Sequence, residues 1–211
     1  MVSVANRRST MVLYSDPAIP IDHCVRIVLA EKDINVEINY IENGERPLEL
    51  AELNPYNTIL TLIDRDLVLY DAQIIMEYLD ERFPHPPLMP VDPVSRASNR
   101  QLRYRVMHDL YELIDDFEND NDIAVANARK SLRDNLTAIA PVFSQKSYFM
   151  SDDYSLVDCC MAPLLWRLNV YGIKLPTSAK AMQQYAERLF EREVFQRSLS
   201  DAEREIGGQT D

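Results

Sequence analysis

The chain has 211 residues, 46% of them hydrophobic, which suits one large domain or two small ones with a substantial core and excludes a disordered tail. Its formal net charge of −12 argues against direct nucleic-acid binding, which rests on Lys and Arg clustered against phosphates. The apolar runs are too short for a membrane span, and the opening MVSVANRRST has no apolar signal core, so export is not expected.

Residues 10–14, TMVLY, are β-prone and lead into the turn-rich SDPAIPID. HCVRIVLAEKD, with Val25, Ile27, Val28 and Leu29, predicts a helix with one buried face. NVEINYI alternates apolar and polar residues as a strand does, and GERPLELAELN predicts a short helix with Pro47 near its first turn. TILTLI and LVLY flank Asp64-Arg65-Asp66 as a hairpin, and DAQIIMEYLDERF predicts a helix burying Ile74, Ile75, Tyr78 and Leu79. The order β-α-β-α-β-β-α is that of a thioredoxin-like unit, whose helices cover a mixed sheet on both faces.

The composition changes after Phe83. Pro84, Pro86, Pro87, Pro90 and Pro93 fall within ten residues, which predicts a stiff, extended linker over 84–93. The remainder, 94–211, reads as all-helical, with helices near 94–119, 123–144, 155–171, 177–190 and 192–205 and a frayed IGGQTD end. SLVD at Ser155–Asp158 fits a capping box, and Pro163 is expected to kink the helix that follows.

A thioredoxin-like unit, a linker and a helical second domain resemble the glutathione transferase architecture, which the SLVD box also fits. CVRIVLAEK, IIMEYLDERFPHPPLMPVDPVSR, FMSDDYSLVDCCMAPLLWRL and the late ERE are similar to the stringent starvation protein A family. That resemblance runs from about residue 10 to residue 205, and PHPPL is its most specific piece. It implies a non-enzymatic regulator that associates with bacterial RNA polymerase and its housekeeping sigma factor in starvation and stationary phase. It further implies a cytoplasmic homodimer.

Glutathione transferases present a cis-proline in a VPxL stretch, followed by an acid–serine pair that holds the γ-glutamyl carboxylate at the next helix start. Here ILTL puts Leu60 at the proline's place, and the pair is Asp71-Ala72, without the hydroxyl. Losing both features weakens glutathione on the order of a thousandfold, and a bond before a non-proline residue is expected to be trans at Ile59–Leu60. Tyr14 and Ser15 stand where transferases place an activating hydroxyl. Packing is the reading for Tyr14 and a turn or cap for Ser15, so the cleft is vestigial. A glutathione-dependent transferase or peroxidase that tolerates Leu60 and Ala72 is the alternative function.

Cys24, Cys159 and Cys160 form no CxxC pair and read as buried thiols of a reducing compartment, with a redox sensor at Cys24 as a third possibility. His23, His85 and His108 have no ligand-like spacing, so no metal and no cofactor are expected.

Two surfaces remain. The resemblance makes Pro84, His85, Pro86, Pro87 and Leu88 a partner-binding patch, against the plainer reading of an interdomain strap. Arg96, Arg100 and Arg103 stand at i, i+4 and i+7 on one face of the first long helix, which reads most plainly as a solvated face. The transferase resemblance, in which this helix lines the dimer interface, makes them interface candidates instead. Acids of the second chain would complement them: Asp109, Glu112, Asp115, Asp116, Glu118, Asp120 and Asp122 follow with no Lys or Arg among them.

Overall fold

The protein is described by a computed structural model covering residues 10–42, 47–56, 58–118 and 121–207. The opening signal-peptide reading, Gly44–Arg46, Asn119, Asp120 and the last four residues of the frayed end lie outside the described residues. Two compact units emerge. One gathers the described residues up to Pro86 with Ser198–Arg204, the other Pro87–Arg197 with the residues from Glu205 on.

The first unit runs β1 (Met11–Ser15), α1 (Pro20–Lys32), β2 (Val36–Tyr40), α2 (Leu48–Leu53), β3 (Thr61–Asp64), β4 (Leu67–Leu69) and α3 (Ala72–Arg82). Its sheet has the order β2-β1-β3-β4. The β1–β2 pair is parallel, which requires the α1 crossover, whereas β3 and β4 pair antiparallel across a tight turn with Arg65 at φ 59. Proline at the start of α1 is preorganised for a first helical turn, and Asp33 ends the helix in a left-handed conformation at φ 49. The two faces of the sheet part by residue parity. Tyr14 and Val12 pack with Ile41, Ile59, Ile63 and Leu50 of α2, while Ser15, one residue on, meets α1 through Arg26. The thioredoxin-like reading is correct.

The second unit contains α4 (Pro93–Asp109), α5 (Asp122–Ile139), α6 (Leu156–Trp166), α7 (Lys180–Phe190), most of α8 (Glu193–Ser198) and the end of α9 (Asp201–Gly207). Among the described residues its only strand pairing is the isolated bridge between Tyr148 and Ser151. The central helix α6 is buried from Leu156 to Leu165. Its capping box forms as expected: Asp158 accepts from Ser155 N–H at 2.9 Å, and also from Phe149 N–H at 2.9 Å and the Tyr185 hydroxyl at 2.7 Å. Tyr185 in turn stacks on Phe143 at 4.2 Å. With the Ser155 hydroxyl as a fourth donor at 3.1 Å, this buried carboxyl group ties α6 to the 149 loop and to α7.

Helix lengths depart from expectation for local reasons. The first long helix ends at Asp109, and residues 111–113 and 115–118 form separate single turns. Consecutive acids are unfavourable at a helix C-terminus, where the macrodipole is negative. Pro141 lacks the N–H that would carry α5 onward, so the chain tightens into the turn Ala140–Ser144. The expected 192–205 helix is two helices, because Ser200 N–H donates to Glu203 at 2.9 Å and Glu203 N–H donates back to Ser200 Oγ at 3.1 Å. That is a second capping box, and it starts α9. Ile206 and Gly207 remain helical: a Cβ on Gly207 would stand 2.1 Å from Trp166 Cζ2, so the glycine permits close packing there.

Candidate functional site

The residues that the transferase pattern assigns to a glutathione site lie in the first unit. Asp71 caps α3 with its own side chain, accepting from Gln73 N–H at 2.9 Å and Ile74 N–H at 3.1 Å through one oxygen. It does so at φ 114, a backbone region that side chains disfavour and that stores about 1–3 kcal/mol of strain. The helix N-terminus therefore holds an anion already, and the anion is Asp71. Ala72 beside it is buried and offers no hydroxyl. Leu60 is buried, its peptide bond to Ile59 is trans, and the one cis bond among the described residues joins His85 to Pro86.

The end of β1 is closed as well. Tyr14 belongs to the apolar cluster over α2. Ser15 is 0% exposed and its Oγ accepts from Arg26 Nη1. Arg26 donates onward to Asp16 O at 2.8 Å and to Glu203 Oε1 at 2.6 Å, and Glu203 also lies 3.3 Å from His23 Nδ1. His23 Nε2 shares a hydrogen with Ser198 Oγ at 2.9 Å. Asp22 accepts from Asp16 N–H at 2.6 Å, and burial pushes its carboxyl up to about 7 against the opposing pull of that N–H and of Arg26. The Ser15 hydroxyl is thus part of a buried ionic network.

This network was missed in the sequence, although signals for it exist. Arg26 interrupts the apolar series Val25, Ile27, Val28 on a helix otherwise fit for burial. Ser200-x-x-Glu203 is a capping-box spelling inside what reads as one helix.

The remaining candidates separate clearly. Cys24 is 0% exposed and its Sγ donates to Pro20 O at 3.4 Å; Cys159 and Cys160 are buried in α6. His108 is exposed and paired with Glu112 at 2.6 Å, a hydrogen bond that raises its pKa. Among the described residues no group of three ligand-type side chains could hold a metal ion, and no helix is long and apolar enough to cross a membrane.

In the strap, Pro84, His85, Pro86 and Pro87 are exposed. Leu88 is a correction to the five-residue patch: it is buried at 3%, and its carbonyl accepts from Leu156 N–H at 2.9 Å, at the head of α6. On the other side Pro86 O accepts from Lys32 Nζ, which is also bonded to Asp80 at 2.7 Å. The backbone is therefore tied down at Pro86 and at Leu88, while the rings of the run stay exposed.

The arginine stripe is corrected too. Arg100 is exposed and Arg96 half-buried, with a 3.4 Å bond to Pro90 O, but Arg103 is buried at 2% and donates to Asn99 Oδ1 at 3.2 Å. The inward face of α4 is Asn99, Arg103 and Val106, a stripe at i, i+4 and i+7 hidden from a hydropathy reading by its two polar members. Val94 and Tyr104 lie outside it, exposed.

The geometry agrees with what the chain is similar to. The glutathione S-transferase N-terminal domain model matches residues 13–87 and the C-terminal domain model residues 100–193. A stringent starvation protein A homolog of Pasteurella multocida is 50% identical, with 94% of each chain covered. That of Coxiella burnetii is 49% identical, covering 95% of this chain and 96% of that protein. Among solved structures, a rice glutathione S-transferase in complex with glutathione superposes with TM-score 0.82 over 96% of each chain, at 20% identity, a likeness of fold alone. The chain belongs to the stringent starvation protein A family, built on the glutathione S-transferase fold.

Proposed function

We propose that this protein is a non-enzymatic stress-response regulator that binds RNA polymerase and its housekeeping sigma factor in the cytoplasm, as a homodimer. The observation that carries the reading is a contrast between two stretches of the chain. Ser15 is bonded to Arg26 and Asp71 to the head of α3, whereas four consecutive residues of the strap, Pro84 to Pro87, stand exposed on a backbone bonded at Pro86 O and Leu88 O.

Exposed proline rings on a fixed backbone lose little entropy on binding, and His85 among them can donate or accept a hydrogen bond. A partner protein with an apolar, shallow surface fits this patch. The homologues' name, stringent starvation protein A, supports the stress-response assignment. For the dimer, the exposed face of α4 with Val94, Arg100 and Tyr104, half-buried Arg96, and the exposed acids Glu112, Asp115, Asp116 and Asp122 supply apolar area and complementary charge. Arg103 is not part of that face.

Three measurements test the reading. The tagged chain is expected to retain RNA polymerase holoenzyme from purified components, and His85→Ala to lose most of it. Calorimetry with glutathione is expected to give a dissociation constant weaker than about 0.1 mM, equivalent to about −5.5 kcal/mol; tighter binding, or conjugation of common electrophiles, would reverse the assignment to an enzyme. Sedimentation at micromolar concentration is expected to give a dimer, and a 24.4 kDa species would remove that part.

A further inference from the structure

We infer that a groove in the second unit binds a compact polyanion carrying two or more phosphoryl groups. The groove has a volume of about 540 Å³, and its walls include Arg129, Lys130 and Arg133 from α5 and Gly172, Ile173 and Lys174 from the segment after α6. Four of these six residues are cations and none is an acid, in a chain whose net charge is −12. Like charges brought together repel, so such a cluster is held at a cost unless an anion joins it.

The arrangement is fixed from beneath. Arg129 Nε donates to Tyr171 O at 2.7 Å, and the Tyr171 ring is itself stacked on Phe117 at 4.5 Å. Gly172 follows at φ 67, and a Cβ there would stand 3.1 Å from Arg129 Nε. The backbone thus passes directly under the guanidinium, in a conformation that favours glycine, and sets the plane of the fork. Among the described residues the terminal nitrogens of Arg129 and the ammonium groups of Lys130 and Lys174 have no hydrogen-bond partner. Arg133 has one loose contact, to Asp134 at 3.4 Å, with both side chains about half exposed.

The chemistry selects the occupant. Two cations neutralise one phosphate, so four call for at least two phosphoryl groups. A planar guanidinium fork matches phosphate oxygens in pairs, and lysines act as point charges around it. The cations surround one concave volume, which a phosphate chain fills at higher charge density than acids spaced along a peptide. The overall negative charge repels anions elsewhere on the chain and so favours this place over others.

The test uses the intact chain at low ionic strength without divalent ions. Calorimetry with inorganic tripolyphosphate is expected to show one saturable site per chain, which about 0.5 M salt abolishes by screening. Lys130→Gln and Lys174→Gln are each expected to weaken it about fivefold, and the pair about twentyfold, with an unchanged melting temperature. Arg129→Lys, which keeps the charge and loses the fork, is expected to weaken it as well. ATP in a second arm identifies the source: equal affinity indicates the phosphate chain alone, and affinity at least tenfold tighter indicates a nucleotide, each consistent with the site. The inference is overturned if neither ligand saturates, if the double variant binds as the wild type does, or if a polyglutamate peptide binds more tightly than tripolyphosphate at these same residues.

Discussion

Ser15 and His85 stand in opposite circumstances within the same unit. Ser15 sits at the family's reactive position, but it is 0% exposed and bonded to Arg26, whose other bonds run to Asp16 and Glu203. His85 sits in a strap with no catalytic precedent, exposed between exposed prolines. In the first region the fold has spent its polar groups on each other. In the second it has fixed the backbone, through Lys32 to Pro86 O, and left the side chains outward. A residue's place in a family pattern therefore says less about function than whether the fold has already given it a partner.

The largest effect is expected from opening the first region. Arg26 and Glu203 are 2.6 Å apart with side-chain exposures of 1% and 0%, so removing either one leaves a buried charge. Arg26→Ala is expected to cost about 3–5 kcal/mol of stability in urea unfolding. A loss below about 1 kcal/mol would mean that the network does not close the cleft. Among the described residues Arg26 Nε is already buried without a hydrogen-bond partner, so the network runs with one donor unsatisfied.

The second test is a pH profile. Burial raises the Asp22 carboxyl from 3.8 to about 7, with Asp16 and Arg26 as its charged neighbours. Between those values the folded chain holds a proton that the unfolded chain has released, so stability from this group falls as pH rises through the window. Asp22→Asn removes the dependence. The variant is expected to match wild type near about pH 4 and to exceed it by on the order of 4 kcal/mol near about pH 8. Equal stability at both pH values would show that Asp22 is solvated.

These regions also show what was legible beforehand. Element order in the first unit and the capping box at Ser155–Asp158 followed from local pattern, which periodicity and turn chemistry report directly. The absent hydroxyl at Ala72 and absent proline at Leu60 were legible because they are identities at fixed places in a motif. The Arg26–Glu203 pair was not, since its partners are 177 residues apart and pairing at that distance has no local signature. Arg103 was misplaced for a related reason: arginine reads as surface until a partner such as Asn99 one turn away allows it inside. Leu88 was grouped with its exposed neighbours by the resemblance, whereas its carbonyl bonds to the head of α6 and its side chain is buried.

The smallest stability effect and the most specific functional one are expected in the strap. Pro84 and His85 are exposed, and neither side chain takes part in the anchoring bonds at Pro86 O and Leu88 O. Truncating them leaves those bonds in place, and surface changes of this kind stay within about 0.5 kcal/mol. For a chain of this size that is about 1–2 °C in melting temperature. If the patch docks RNA polymerase, Pro84→Ala with His85→Ala abolishes retention at this nearly unchanged stability, because the rings supply the contact area and the imidazole the directional bond. A fall of several degrees would make the strap a structural clamp. Leu88→Ala separates the two roles: as a buried side chain it is expected to cost about 2–5 kcal/mol, while polymerase retention per folded molecule is expected to persist. Retention lost with Leu88→Ala and kept with the Pro84 and His85 changes would place the docking surface elsewhere.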